Sequence, residues 1–207
     1  MDSPDAADLI AEIHEERAEN EAADTFRNRA ALLIAFLAAV LAIGGLGGGN
    51  ATDDLIGSNI RASDTWAFYQ AKNVRQTMYE MAADDLENRL GGMSPAERPA
   101  AEKRLAAYKA TIARYDSEPD AEAPDDPLRG EGKKELRAQA EAFEEARDRA
   151  AAQDDNFDMA EVFLQLALVL GSVAILAVNR WVLILSGALG LLGTLFTANG
   201  FFLLVPF

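Results

Sequence analysis

The sequence predicts an all-α protein with three transmembrane helices. An extra-membrane antiparallel, coiled-coil-like helical hairpin is expected between the first and second span. Three observations predict this. Two uncharged apolar runs, Val162–Val178 and Trp181–Phe207, are separated only by Asn179 and Arg180. Each has at least about 17 residues, the length a helix needs to cross a ~30 Å hydrocarbon core. A third uncharged run of similar length, Ala30–Leu46, lies far upstream. Between them the chain is rich in Ala, Glu and Arg, which favour helix, and poor in β-branched residues. The expected organisation is an acidic leader helix over 1–28, a first span over 29–48, a hairpin module over 49–158, a second span over 159–178 and a third over 181–205.

Charge and composition exclude several functions. The net charge of −15 disfavours nucleic acid, which needs a basic face, and docking on anionic headgroups. There is no Cys, so disulfides, thiolate catalysis and Cys-based metal sites are absent. His14 is the single histidine and has no second His to complete a site. No Ser sits in a nucleophile-elbow context, and the carboxylates spread over solvated helix faces. The expectation is a non-enzyme with no catalytic residues, no cofactor and no metal. No cleavable signal peptide is expected, because the first apolar run begins late and behind an acidic leader.

The leader can start at Ser3-Pro4, and Leu9, Ile10 and Ile13 give it a thin apolar stripe. The first span ends in Gly44-Gly45-Leu46-Gly47-Gly48-Gly49, which suits either a flexible exit from the bilayer or close contact with a neighbouring helix. A long helix follows over Asp53–Leu90. Ile60, Ala67, Ala71, Val74, Met78 and Leu86 fall near 3–4 spacing and predict its packed face. Within it, Trp66, Phe68 and Tyr69 crowd together beside Asp64 and Lys72, as an aromatic clasp on a partner helix or as an interaction platform. Ser94-Pro95-Ala96-Glu97 reads as a helix start. Ala101, Leu105, Tyr108, Ile112 and Tyr115 then form a two-heptad seam.

Ser117–Gly132 is a Pro-rich acidic loop. Its alternating acids resemble a calcium loop, but Ala121 and Pro127 stand where the turn Gly and the closing Glu belong. The next helix, Lys133–Asp158, points Leu136, Ala140, Phe143, Ala150 and Phe157 at the hairpin, and it can continue into the second span. Gln165 is expected inside the membrane, where a polar side chain needs a partner. Ala167, Gly171 and Ala174 line one face of the second span. Ser186, Gly190, Gly193, Thr197 and Gly200 line one face of the third. Such stripes let helices approach closely, either in a homo-oligomer or around the first span of the same chain.

The Ser63–Lys72 segment, the charged hairpin after one apolar helix, and the closing pair around Asn179-Arg180-Trp181 together resemble a bacterial family of small membrane proteins known only as a domain of unknown function. The resemblance implies an inner-membrane protein of three spans and supplies no site residues. Arg27, Arg29 and Arg180 fall on one side of the three spans, which places the leader in the cytoplasm and the hairpin in the periplasm. The functional expectation is a membrane scaffold or accessory protein acting through helix–helix contacts. The alternative is a small oligomeric channel or transporter. The expected partners are the membrane and either a second copy or another membrane protein. The interaction candidates are Trp66, Phe68, Tyr69, Gln165, Gly171, Gly190 and Gly193.

Overall fold

The computed structural model describes the backbone of residues 6–206 and the side chains from residue 14 to 206. The Ser3-Pro4 start and the side chains of the Leu9, Ile10, Ile13 stripe lie outside the described residues. Four helices follow in order: α1 (Ala6–Leu90), α2 (Arg98–Asp116), α3 (Lys133–Ala177) and α4 (Arg180–Phe202). Among the described residues there is no strand, only an isolated bridge between Pro119 and Gly130. The all-helical class therefore holds. Three helices, all but α2, are long and apolar enough to cross a membrane.

One expectation about the layout is corrected. The leader, the first apolar run and the helix after it are not separate elements joined at the glycines, as in a simple hairpin layout. They are one unbroken α1 of 85 residues. The run from Gly44 to Gly49 costs up to about 1 kcal/mol of propensity per glycine. Packing overrides that cost: a Cβ on Gly47 or Gly200 would overlap the Phe157 ring, and one on Gly48 would press on its Cβ. The ring of α3 thus sits against the bare backbones of α1 and α4, and Phe201 closes the socket edge-on at 4.9 Å.

The helix ends follow from local chemistry. α2 begins one turn later than Ser94 suggests, with Glu97 at the cap. Ser94 donates both its hydroxyl (2.7 Å) and its N–H (3.4 Å) to the Glu97 carboxylate, forming a closed turn ahead of the helix. α3 continues unbroken to Ala177, where Val178 takes a left-handed φ of 47°. Asn179 then caps α4 by accepting from the N–H groups of Trp181 and Val182.

The chain divides into two compact units, Met1–Thr52 with Ala151–Phe207, and Asp53–Ala150. In the first, small residues are inside and large apolar residues outside. Ala160, Ala167, Gly171, Ala174, Gly190, Gly193 and Gly200 are buried, while Leu32, Phe36, Leu46, Val169, Leu176 and Leu191 are exposed. Leu37 and Leu164 are the large residues at its centre.

In the second unit α1 pairs with two helices in succession, both antiparallel to it. Toward Leu90 its partner is α2: Lys109 meets Glu87 at 3.2 Å, and the rings of Tyr108 and Tyr115 lie 5.6 and 5.9 Å from that of Tyr79. Nearer Asp53 its partner is α3: Lys133 meets Asn73 at 3.0 Å, and Glu144 meets Trp66 at 2.9 Å. The predicted inward residues of α2 and α3 are buried or half-buried, Leu105, Leu136, Ala140 and Ala150 among them.

The predicted packed face of α1 is corrected. Ile60, Ala67, Ala71, Val74 and Met78 are exposed, and only Leu86 of that set is half-buried. The buried line is instead Ala62, Lys72, Gln76 and Ala83. Hydrophobic spacing failed here because the change of partner places polar side chains on the inner face.

Candidate functional site

The place where α1 changes partner is built around Lys72. Its side chain is 5% exposed, and its ammonium lies 3.4 Å from the Glu118 carboxylate and 3.9 Å from that of Glu131. It also donates to the Glu131 carbonyl. The rings of Phe68 and Tyr115 lie 5.6 and 5.8 Å from it. One cation thereby ties α1, the end of α2 and the far side of the loop together. Next to it, Gln76 donates to the Ile112 carbonyl at 3.4 Å, and its own buried Oε1 has no partner.

The acidic loop between α2 and α3 is ordered at its neck. The Glu131 N–H donates to the Glu118 carbonyl at 2.9 Å. Glu135, in the first turn of α3 and 5% exposed, accepts from the Ser117 hydroxyl at 2.7 Å and the Glu118 N–H at 3.1 Å. Burial pushes its carboxyl up. The hydrogen bonds from Ser117, Glu118 and its own N–H, with the charge of Lys134, outweigh that and hold it below its ordinary value. Two glycines make the neck possible: Gly130 has φ of 121°, and a Cβ on Gly132 would overlap the backbone of Ser117 and Glu118.

The aromatic candidates split between two roles. Trp66 is half-buried, donates to Glu144 and meets Tyr69 edge-on at 5.5 Å. Tyr69 lies under Lys133 at 6.0 Å. These two form the clasp between α1 and α3. Glu144 is thus engaged by Trp66, and the surface pairs nearby are Arg137 with Glu141 and Arg147 with Asp148. Phe68 turns the other way and is 44% exposed. Beyond the clasp, an open groove of about 500 Å³ between α1 and α2 is lined by Arg75, Met78, Tyr79, Ala82, Tyr108 and Tyr115.

The candidates in the first unit are placed within one chain. A Cβ on Gly171 would meet Ile34 and Ser186; one on Gly190 would meet Leu37; one on Gly193 would meet Leu164 and the Ala160 carbonyl. Both small-residue stripes are therefore taken up by α1 and by each other. Gln165 is exposed on the surface of α3, and it donates to Glu161 one turn earlier at 2.6 Å. The aromatic clasp belongs to the other unit.

Sequence reasoning missed three polar contacts. Lys72 is one; the loop of acids that its charge balances was the available signal. The second is Asn156, 1% exposed, which accepts from Asn199 at 2.8 Å while Asn199 also holds both the N–H and the carbonyl of Val205. The third is Thr52, which donates to Asp154 at 2.7 Å. Among the described residues no group of His, Asp or Glu is arranged to hold a metal ion. The site as built can hold helices in register and offer a surface.

No curated protein and no solved structure matches this chain. A family model described as a domain of unknown function, DUF4337, matches residues 26–203. That match takes in α1 from Phe26 onward, all of α2 and α3, and α4 to its end. The chain belongs to the DUF4337 family.

Proposed function

We propose that this protein is an integral membrane scaffold or accessory subunit of the bacterial inner membrane, acting through helix–helix contacts and without catalysis. One observation carries the reading: the first unit is packed inside out. Glycines, alanines and hydroxyl side chains fill its interior, and large apolar residues cover its surface. In water that surface would be a severe liability. In lipid it costs nothing, and small residues are what allow helices to pack where no hydrophobic drive joins them. Three spans are made by α1, α3 and α4, and the second unit stands outside the bilayer. Arg27, Arg29 and Arg180 put the leader in the cytoplasm and the second unit in the periplasm.

A channel has less support. Ser172, Thr194 and Thr197 each donate to a carbonyl one turn back in their own helix, at 2.9, 2.7 and 2.9 Å. Ser186 donates across to the Ala167 carbonyl at 2.6 Å. Three of these hydroxyls are satisfied within their own helix and Ser186 joins α4 to α3, which leaves the channel reading little support.

The test has two parts. The full chain should fractionate with the inner membrane and resist carbonate extraction. A reporter active only in the cytoplasm should be silent when fused after Phe207. An active reporter overturns the orientation, and ion flux in reconstituted vesicles would favour the channel.

A further inference from the structure

Between Ile56 and Met81, the aromatics Trp66, Tyr69 and Tyr79 face the partner helices, while the larger aliphatic side chains and methionines of α1 are exposed. Ile60 and Val74 are each 54% exposed, Met78 64% and Met81 68%. On the opposite side the helix buries Lys72 and Gln76, the latter with an unpartnered Oε1. A monomer that sought only its own stability would arrange these the other way round.

The exposed stripe has a period. Ile60, Ala67, Val74 and Met81 recur every seven residues, and Ala71 and Met78 fall between them, four after Ala67 and Val74. Alternating steps of four and three are the spacing of a seam that meets another helix over several heptads. A flat lipid surface or a globular partner does not require that period.

We propose that a second copy of this chain covers the stripe, with α1 packing against α1 in parallel and in register as a two-stranded coiled coil. The parallel direction rests on the membrane reading above: copies inserted the same way send the same helix into the second unit in the same direction. The residue profile suits self-pairing. Ala67 and Ala71 face their own copies and let the backbones come close, while Val74, Met78 and Met81 fill the next layers. Phe68, beside Ala67 and exposed, flanks the close approach.

Charge favours the same occupant. From Ile56 to Met81 the exposed charges balance, two acids, Asp64 and Glu80, against two bases, Arg61 and Arg75, with Lys72 buried, in a protein of net charge −15. Copies that repel elsewhere can therefore meet here. Asp64 interrupts the seam, and Arg61, one turn earlier, offers each copy a counter-charge.

The chain has no native cysteine, so cross-linking needs no background removal. Ala71→Cys and Val74→Cys should each form a disulfide with themselves when membranes holding the full chain are oxidised. Ala107→Cys, exposed on α2, is the control. Facing seam positions come within disulfide reach, so rates about tenfold or more above the control are expected. Rates no faster than the control would overturn the proposal. So would disulfides that appear only when Ala67→Cys and Met78→Cys chains are mixed, since that pattern reports an antiparallel pair. Light scattering on the detergent-solubilised full chain adds a second readout. The particle should carry two chains, and Val74→Glu with Met78→Glu should leave one, with helix content unchanged. A wild type that is already monomeric would sink the idea, and cross-linking decides if the double variant fails to fold. Recovery of the chain in the soluble fraction would count against the membrane reading instead, whatever the cross-links show.

Discussion

Lys72 shows how much depends on which partner of an ion pair is buried. The lysine is 5% exposed, whereas Glu118 and Glu131 are 34% and 73% exposed on their side chains. Removing the lysine releases two carboxylates that water can solvate. Removing the carboxylates leaves a buried ammonium without a counter-charge, held only by the Glu131 carbonyl and two rings. Replacing a buried charge by an apolar side chain of similar shape is often near neutral, but orphaning it costs about 3–5 kcal/mol. Lys72→Met should therefore cost little, about 1 kcal/mol for the lost bond to the Glu131 carbonyl. Glu118→Ala with Glu131→Ala should cost clearly more. Denaturant midpoints of the full chain in detergent check the order, and the reverse order would mean that the lysine is better hydrated than its burial implies.

At the scale of elements, the loop neck has a pH signature. The Glu135 carboxyl sits below its ordinary value of 4.5 in the folded chain. A lowered value means that the charged form is favoured by folding. Its stabilisation is fully present above pH 4.5, begins to fade below it, and is lost as the pH falls through the depressed folded value. Glu135→Gln should lower the thermal midpoint at pH 7, and the gap to wild type should close on the acid side of pH 4.5. A gap that stays constant down to pH 3 would show that the neck does not depend on the charge. The elements themselves differed in how readable they were. α2 and α3 followed simple rules, since Leu105, Tyr108, Leu136 and Ala140 fall on one period and face one partner. α1 has two apolar or semi-apolar lines, and the more hydrophobic is the exposed one, so counting apolar residues selected the wrong face. Nothing local in Lys72 or Gln76 says that they lie inward. That depends on where α2 ends and α3 begins, a tertiary fact.

For the whole molecule, the class and the membrane-compatible helices were legible because an uncharged run of that length has few other uses. The small-residue stripes were legible as contact surfaces, but their occupant was not: Leu37 and Ile34 of α1 fill them, and they lie far away in sequence. This changes what a mutation should do. Gly190→Leu with Gly193→Leu would overlap Leu37 and Leu164, so it should abolish the folded, monodisperse particle of the full chain rather than split it into subunits. Gly45→Leu is the control, because a Cβ there meets nothing within 4 Å. It should run as wild type in size-exclusion chromatography, and a double variant that behaves like this control would place the glycine seam outside the packed interior.

The socket around Phe157 carries a consequence for biosynthesis. Its walls come from Gly47 and Gly48 of α1 and from Gly200 and Phe201 of α4, while the ring itself is on α3. α4 leaves the ribosome after the other three, so no order of synthesis completes the socket early. Until α4 arrives, Phe157 has half its walls and Asn156 lacks the side chain that donates to it. A buried amide without that partner is costly in an apolar setting. Formation of the helices and their assembly are thus separate events in time, and the nascent chain must wait, with a polar side chain uncovered, for its last helix.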